Sequence, residues 1–287
     1  MTAIITDTTS GLPAEIAQKY QIPVIPQIIT FGEESYYEGI ELSNAQFIKK
    51  LRVASQLPKT AAPPPELFVK EFERLVPTNQ TIFCIHPSAE VSGTVRSATV
   101  AAQDFPGADI RVIDTRTIGS PLATLVQLAA EWAASGLDAD TIEERLEQMI
   151  PFSRIYFMVS TLEFLAKGGR IGGAAALLGN LLQIKPILVF RDGKVDQFER
   201  ERTYRRAFAR LKELARQQLP GDGTGYLSIM HADVPEEAMI LASDLRAELN
   251  ISHIPIIDLP PAVVTHGGPG ILAVAFFLPP PKSGGAI

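Results

Sequence analysis

Four short stretches carry side chains suited to holding an anion, and they are far apart in the chain. Arg170 stands between the glycine pairs Gly168-Gly169 and Gly172-Gly173, where no bulky neighbour shields its guanidinium. Its planar fork of N–H donors matches the two oxygens of a carboxylate or a phosphate. Ser92-Gly93-Thr94 opens a helix after the strand-like run Thr81–Ile85 and a loop over His86–Val91. There the first free amides point outward, Gly93 admits a ligand close to the backbone, and two hydroxyls can donate. Thr60 lies in a turn stiffened by Pro63-Pro64-Pro65, and fixing a hydroxyl there is worthwhile if it is held against something. His266, in Thr265-His266-Gly267-Gly268-Pro269-Gly270, is unshielded and can donate to an anion or titrate near neutral pH. Each also has an ordinary reading: a surface arginine, a helix cap at Ser92, a turn threonine, a satisfied histidine. Position in the sequence leaves both readings open.

Other chemistries find little support. Cys84 is the only cysteine, so no internal disulfide can form, and its apolar run Thr81–Ile85 marks a buried thiol. His86 and His231 end strands and His253 precedes one, a spacing that matches no metal site. We expect neither a metal nor a cofactor. The Gly-x-Ser-x-Gly elbow is absent, which argues against a serine hydrolase. Neither Gly-x-Gly-x-x-Gly nor a P-loop is present, which argues against a nucleotide or dinucleotide enzyme. A basic stretch, Arg200, Arg202, Arg205, Arg206, Arg210, Lys212 and Arg216, is interleaved with Glu201 and Glu213 and reads as a solvated or docking face rather than a DNA-binding helix. The net charge of −6 agrees, since an acidic chain has no overall attraction to nucleic acid or to an anionic membrane.

With 46% hydrophobic and 20% charged residues, the 287-residue chain has the composition of an ordinary globular protein with material for more than one core. No run approaches the roughly 18 apolar residues of a membrane span, and the N-terminus lacks the basic and apolar regions of a signal peptide. A cytoplasmic protein without stable membrane insertion is expected.

The elements that must position the anion-holding residues follow from local signals. Ala3–Asp7 reads as a strand followed by Thr8-Thr9-Ser10-Gly11, with Ser10 able to cap a helix near Pro13. Val24–Phe31 reads as one extended run. Ser43 and Gln46 have capping-box spacing ahead of Phe47, Ile48 and Leu51. Strands Thr81–Ile85 and Ile110–Ile113 alternate with helices, which predicts a parallel sheet covered on both faces. Asp7-Thr8-Thr9, Ser92-Gly93-Thr94 and Asp114-Thr115 all follow strands, where such sheets hold ligands. Thr161 caps a short helix that Gly168 closes in the left-handed conformation. Pro151 marks a domain boundary. Beyond it, Arg191-Asp192-Gly193 predicts a hairpin, and βα units with an apolar strand Ile271–Leu278 complete a mixed sheet. The expected division is an N-terminal α/β domain over 1–150, a C-terminal α/β domain over 151–278 and a disordered tail over 279–287.

Taken together, Asp7-Thr8-Thr9-Ser10-Gly11-Leu12-Pro13, Lys59-Thr60 before Pro63, Ser92-Gly93-Thr94, Thr161–Gly172, Ile184-Lys185-Pro186-Ile187-Leu188 and His266-Gly267-Gly268-Pro269-Gly270 resemble the DegV family, fatty-acid-binding proteins that include the FakB type. The resemblance runs to about Leu278. It implies an N-terminal three-layer αβα domain with a parallel sheet and a C-terminal two-layer α/β domain with a mixed sheet. It also implies a long-chain fatty acid in an inter-domain tunnel, its carboxylate held by Thr60, Ser92, Gly93 and Thr94, with Arg170 and His266 completing the surroundings. Family members present the bound acid to a separate fatty acid kinase that forms the acyl-phosphate, and are carriers rather than enzymes. The sequence departs from the family pattern at Ala61 and Pro64, where serines are common, and at Val95, where an aromatic residue often follows. Leu162, Leu165, Ile171, Leu177, Leu178, Leu181, Ile184 and Phe277 are the expected tunnel residues. The alternative is an enzyme acting on a small phosphate or carboxylate metabolite at the same loops, although no nucleophile–base pair is legible in the sequence.

Overall fold

Apolar strand residues and capped helices alternate through the first half of the chain. The computed structural model describes residues 1–178 and 184–279. Strand β1 (Thr2–Asp7) leads through a 3-10 turn, Thr8–Ser10, to helix α1 (Ala14–Lys19) and then to strand β2 (Val24–Ile25). The run expected as one strand over Val24–Phe31 is broken, because Pro26 has no amide to continue a ladder. After it, β3 (Ile28–Phe31) joins a different sheet with β4 (Glu34–Tyr37). Helix α2 (Asn44–Val53) begins with the expected capping box, Ser43 and Gln46 each bonding back to the other. The turn expected at Thr60 is instead strand β5 (Lys59–Ala61), paired antiparallel with β3 so that Thr60 lies opposite Ile29. Next come α3 (Pro65–Leu75), β6 (Thr81–His86), α4 (Thr94–Ala102), β7 (Asp109–Asp114), α5 (Ser120–Ala134) and α6 (Ala139–Met149).

Strands β2, β1, β6 and β7 form an all-parallel sheet in that order. Alternation along these strands sends side chains to two separate cores. Ile4, Phe83 and Ile85 pack with Leu122 and Leu125 of α5 and Ile142 of α6. Ile5, Ile82 and Cys84 face the other way, onto Phe68 and Phe72 of α3 and Ala98 of α4. The result is three layers. Burial pushes the Cys84 thiol far up, so it is inert.

The second half follows a 3-10 turn over Ile150–Phe152 and contains β8 (Ser153–Met158), α7 (Glu163–Lys167), β9 (Lys185–Arg191) and β10 (Lys194–Glu201). The β9–β10 hairpin turns at Asp192 and Gly193, both at positive φ, as an Asp-Gly turn requires. Helix α8 (Tyr204–Gln218), strand β11 (Leu227–His231), helix α9 (Pro235–Leu249), strand β12 (Ile256–Asp258), helix α10 (Pro261–Gly267) and strand β13 (Leu272–Phe277) complete it. The sheet order is β10-β9-β8-β13-β11-β12, antiparallel except for the parallel pair β11–β12. Tyr156, Met158, Val189, Ile229 and Val274 point to α8 and α9. Their alternate neighbours Ile155, Phe157, Met230 and Ala273 face the N-terminal half, in a core shared with Ile29, Leu42 and Phe47. On α8, Arg210 pairs with Glu199 and Glu213, and Lys212 with Asp244 and Glu248, so part of the basic stretch is neutralised by its own surroundings. Among the described residues no helix is long and apolar enough to cross a membrane. Leu181 and residues 280–287, which include most of the expected tail, lie outside the described residues.

Candidate functional site

Local chain geometry brings each polar residue to the seam between the halves. The cap of α7 is Leu162 rather than the expected Thr161, although the Thr161 hydroxyl one residue earlier accepts from the Glu163 amide at 3.2 Å. The helix also closes differently: Gly168 keeps φ −77° and Gly169 takes the left-handed conformation at φ +71°. Gly168 serves another purpose, since a Cβ there would collide with His266 Nδ1. Just beyond, the Arg170 guanidinium is half-buried rather than free. Its Nε donates to the Val91 carbonyl at 3.1 Å and its Nη1 to the Gly168 carbonyl at 2.7 Å. These two bonds aim the fork across the seam at the Ser92 loop.

The segment around His266, expected as a glycine-rich loop, begins with helix α10. Its proline start suits the first turn, and the imidazole is presented from the last turn. His266 Nε2 bonds the Thr60 hydroxyl at 2.8 Å, across 206 positions of sequence. Its Nδ1 is buried and has no hydrogen-bond partner among the described residues. Burial first, and the Arg170 charge second, hold His266 down to about 4. The ring is therefore neutral at pH 7, contrary to the expectation of titration near neutrality. Thr60 and His266 are a hydroxyl–imidazole pair that the sequence did not reveal. They are poorly suited to nucleophilic catalysis, because so weakly basic a ring takes a proton reluctantly and nothing orients its far nitrogen.

At the start of α4 the helix cap is Gly93 rather than Ser92. Ser92 Oγ instead accepts from the Thr94 amide at 3.3 Å and lies 2.8 Å from Thr94 Oγ1. Thr60, Ser92, Gly93, Arg170 and His266 all line one cavity between the halves. Thr94 does not: it is fully buried behind Ser92, with its hydroxyl taking an amide proton from Gln27 at 2.9 Å. Beyond this polar end the wall is apolar. Ile155, Phe157, Met230 and Ala273 come from one face of the C-terminal sheet, and Leu165, Phe190 and Leu259 close it. Thr60, Arg170 and His266 also border an outer cleft with Lys59, Glu163 and Lys167, so the polar end is approachable from the surface.

Several expected tunnel residues sit elsewhere. Leu165 lines the cavity, and Leu162 and Leu177 are core beside it, with Ile171 and Ile184 packed on that core. Phe277 belongs to the core of the parallel sheet, because the end of β13 reaches α5. Leu178 is half exposed. Ala61, Pro64 and Val95, the departures from the family pattern, are off the cavity wall, whereas Ala62 is on it. Thr9, singled out only for following a strand, lines the wall, and Gln27 was missed. Gln27 hides in a run that reads as plain strand, and only the β2–β3 break turns its amide inward.

Two buried acids lie behind the site. Asp7 Oδ1 accepts from Thr9 Oγ1 at 2.6 Å, from the Thr9 amide and from Gln27 Nε2, both at 3.0 Å, while Oδ2 meets His86 Nδ1 at 2.7 Å. This Asp–His pair is sealed, its Nε2 unpartnered and the imidazole ring edge-on to Phe68 at 5.3 Å, so it activates no nucleophile. Glu38 accepts from Thr8 Oγ1 and, at 2.6 Å, from the Ala262 amide in the first turn of α10. Burial raises Glu38 to about 7, with its two hydrogen bonds pulling the other way.

A family model described as "Uncharacterised protein, DegV family" matches residues 1–278. The chain is 34% identical over 277 residues to a DegV domain-containing protein of Halalkalibacterium halodurans, covering 96% of this chain and 98% of that one. It is 31% identical over 277 residues to the protein DegV of Bacillus subtilis, with 96% and 98% covered. Among solved structures it is similar to a fatty-acid-binding DegV family protein from Thermus thermophilus, with a TM-score of 0.90, 28% identity, and 97% and 99% of the two chains covered. The structure of DegV from Bacillus subtilis, described as a fatty acid binding protein, matches with a TM-score of 0.87, 31% identity, and 97% and 99% covered.

Proposed function

The chain belongs to the DegV family, and on that premise we propose that it is a carrier that binds a long-chain fatty acid between its halves and presents the carboxylate to a separate fatty acid kinase. The observation that carries this reading is one cavity with two chemistries. Thr60, Ser92, Arg170 and His266 gather at one end, two from each half, and apart from Thr9 and Gln27 the side chains of the remaining wall are apolar. A small phosphate or carboxylate metabolite would leave that apolar wall without a partner. An acyl chain fills it, at about 0.8 kcal/mol per buried methylene, so a C16 chain gains on the order of 10 kcal/mol gross. The head group adds roughly 1.5–3 kcal/mol per charge-assisted hydrogen bond. Tail burial then sets affinity and the polar end sets orientation. The kinase step needs the carboxylate within reach from outside, and the cleft shared by Thr60, Arg170 and His266 supports that. There a carboxylate oxygen would attack the γ-phosphorus of ATP and ADP would leave, with every catalytic group supplied by the kinase.

Purified protein, denatured and extracted, is expected to yield fatty acid by mass spectrometry, and adding palmitate to stripped protein is expected to raise its melting temperature. Protein that is consistently empty, and whose melting temperature ignores palmitate and oleate, sinks the reading. Formation of acyl-phosphate from ATP only when a candidate kinase is added tests the second half. Turnover by this chain alone would favour the enzyme alternative.

A further inference from the structure

The hydroxyl of Ser92 is backed by a chain of hydrogen bonds whose direction can be worked out atom by atom. It starts at Asp7, which is buried and whose Oδ1 accepts from the Thr9 hydroxyl and amide and from the Gln27 amide nitrogen. The Gln27 amide turns its nitrogen toward Asp7 Oδ1, to which it donates at 3.0 Å. The same nitrogen then gives its second proton to Thr94 Oγ1, at 2.9 Å. Thr94 Oγ1 thus receives a proton and must dispose of its own. Thr94 is fully buried, and among the described residues the sole other hydrogen-bond partner of its hydroxyl is Ser92 Oγ, at 2.8 Å. Were Ser92 to donate to Thr94 instead, the Thr94 proton would be a buried orphan, the costly case for a polar group. Ser92 Oγ also accepts from the Thr94 amide. With both lone pairs occupied, the Ser92 proton has one way to go, and Ser92 lines the cavity.

We infer that Asp7, Gln27 and Thr94 are positioning residues that commit Ser92 to donate into the cavity, so that the polar end selects an ionised carboxylate over a neutral head group such as an alcohol. A free hydroxyl can turn to donate or accept, and would receive an alcohol almost as well as an acid. A committed donor cannot accept from the alcohol proton. The partner donor supports the same selection. His266 Nδ1 has no acceptor, so a proton is better placed on Nε2, facing Thr60, which frees the Thr60 hydroxyl to donate as well. The inference rests on the fatty-acid reading proposed above and goes further, to the origin of head-group selectivity.

The test compares palmitate with hexadecanol, which share a chain and differ in head group. Thr94→Val removes the relay without touching the cavity wall. It is expected to lower the palmitate-to-hexadecanol affinity ratio by about tenfold or more, mainly by tightening hexadecanol, because the freed Ser92 hydroxyl still donates to the acid and can now also accept from the alcohol. Thr94→Ser restores the hydroxyl and is expected to restore the ratio. Ser92→Ala removes the donor itself and is expected to weaken palmitate, and adding Thr94→Val to it is expected to change the ratio no further, because the relay acts only through the Ser92 hydroxyl. Gln27→Met, which breaks the relay one link earlier, covers the case in which Thr94→Val fails to fold. A wild-type ratio in Thr94→Val or Gln27→Met, equal loss of both ligands, or additive losses in the double variant would each overturn the relay while leaving fatty-acid binding standing. Wild-type protein that binds neither ligand would overturn the fatty-acid reading itself.

Discussion

At the residue scale, Arg170 and His266 govern one another. The guanidinium is fixed by the Val91 and Gly168 carbonyls, and its charge helps to keep the neighbouring imidazole neutral. A carboxylate placed between them reverses that balance, because an anion favours the protonated ring. His266 is therefore expected to titrate below pH 5 in ligand-free protein and to move up toward its ordinary 6.5 with palmitate bound, as read from its ring resonances by NMR. A titration unmoved by palmitate would remove His266 from the head-group surroundings. Arg170→Ala removes one charge-assisted contact, worth roughly 1.5–3 kcal/mol, and is expected to weaken palmitate binding by about 10- to 100-fold in calorimetric titration. Unchanged affinity would place Arg170 outside the site.

At the element scale, helix α10 ties the two halves together, since it carries His266 and is anchored at its other end by Glu38 from the N-terminal half. Glu38 titrates near 7 when folded and near 4.5 when unfolded. Between those values the folded protein keeps a proton that the unfolded chain has released, so this group makes stability fall as pH rises through that window. The loss saturates above about pH 7, at a size on the order of 3 kcal/mol. His266 acts in the opposite direction: its folded value is depressed, so its contribution is present above pH 6.5 and lost as pH falls toward 4. Comparing wild type with Glu38→Gln separates them, because both proteins keep His266. The variant is expected to gain stability relative to wild type between pH 5 and pH 8 in urea unfolding, and parallel pH profiles would refute the assignment.

At the scale of the whole molecule, the cavity exists because two sheets with different rules meet. The parallel sheet is buried on both faces by its own helices, whereas the mixed sheet covers one face with α8 and α9 and lends the other to the seam. Ala273 on β13, like Ala275, is a small residue of that second face, and it lines the cavity. Affinity is expected to rise about fourfold per added methylene until the cavity is full. Ala273→Leu is expected to bring that plateau to shorter chains while leaving the head-group ratio unchanged, measured over a series of saturated acids from C10 to C18. An unchanged plateau would mean that the chain runs elsewhere.

The sequence by itself determined what is local. The capping box at Ser43, the Asp-Gly hairpin and the alternation of buried strand residues follow from neighbours within a few positions, and so did the donor types at Thr60, Ser92, Arg170 and His266. Tertiary structure decided everything that depends on what lies behind or across. Pro26 splits one apparent strand between two sheets and turns Gln27 inward, and a helix emerges where prolines and glycines read as loop. Thr60 meets His266 across 206 positions. Thr94, equal to Ser92 in chemistry and two residues away, is buried behind it instead of facing the cavity. Side-chain type fixes what a residue can donate, but the direction of a hydrogen bond and the depth of burial are set by non-local partners.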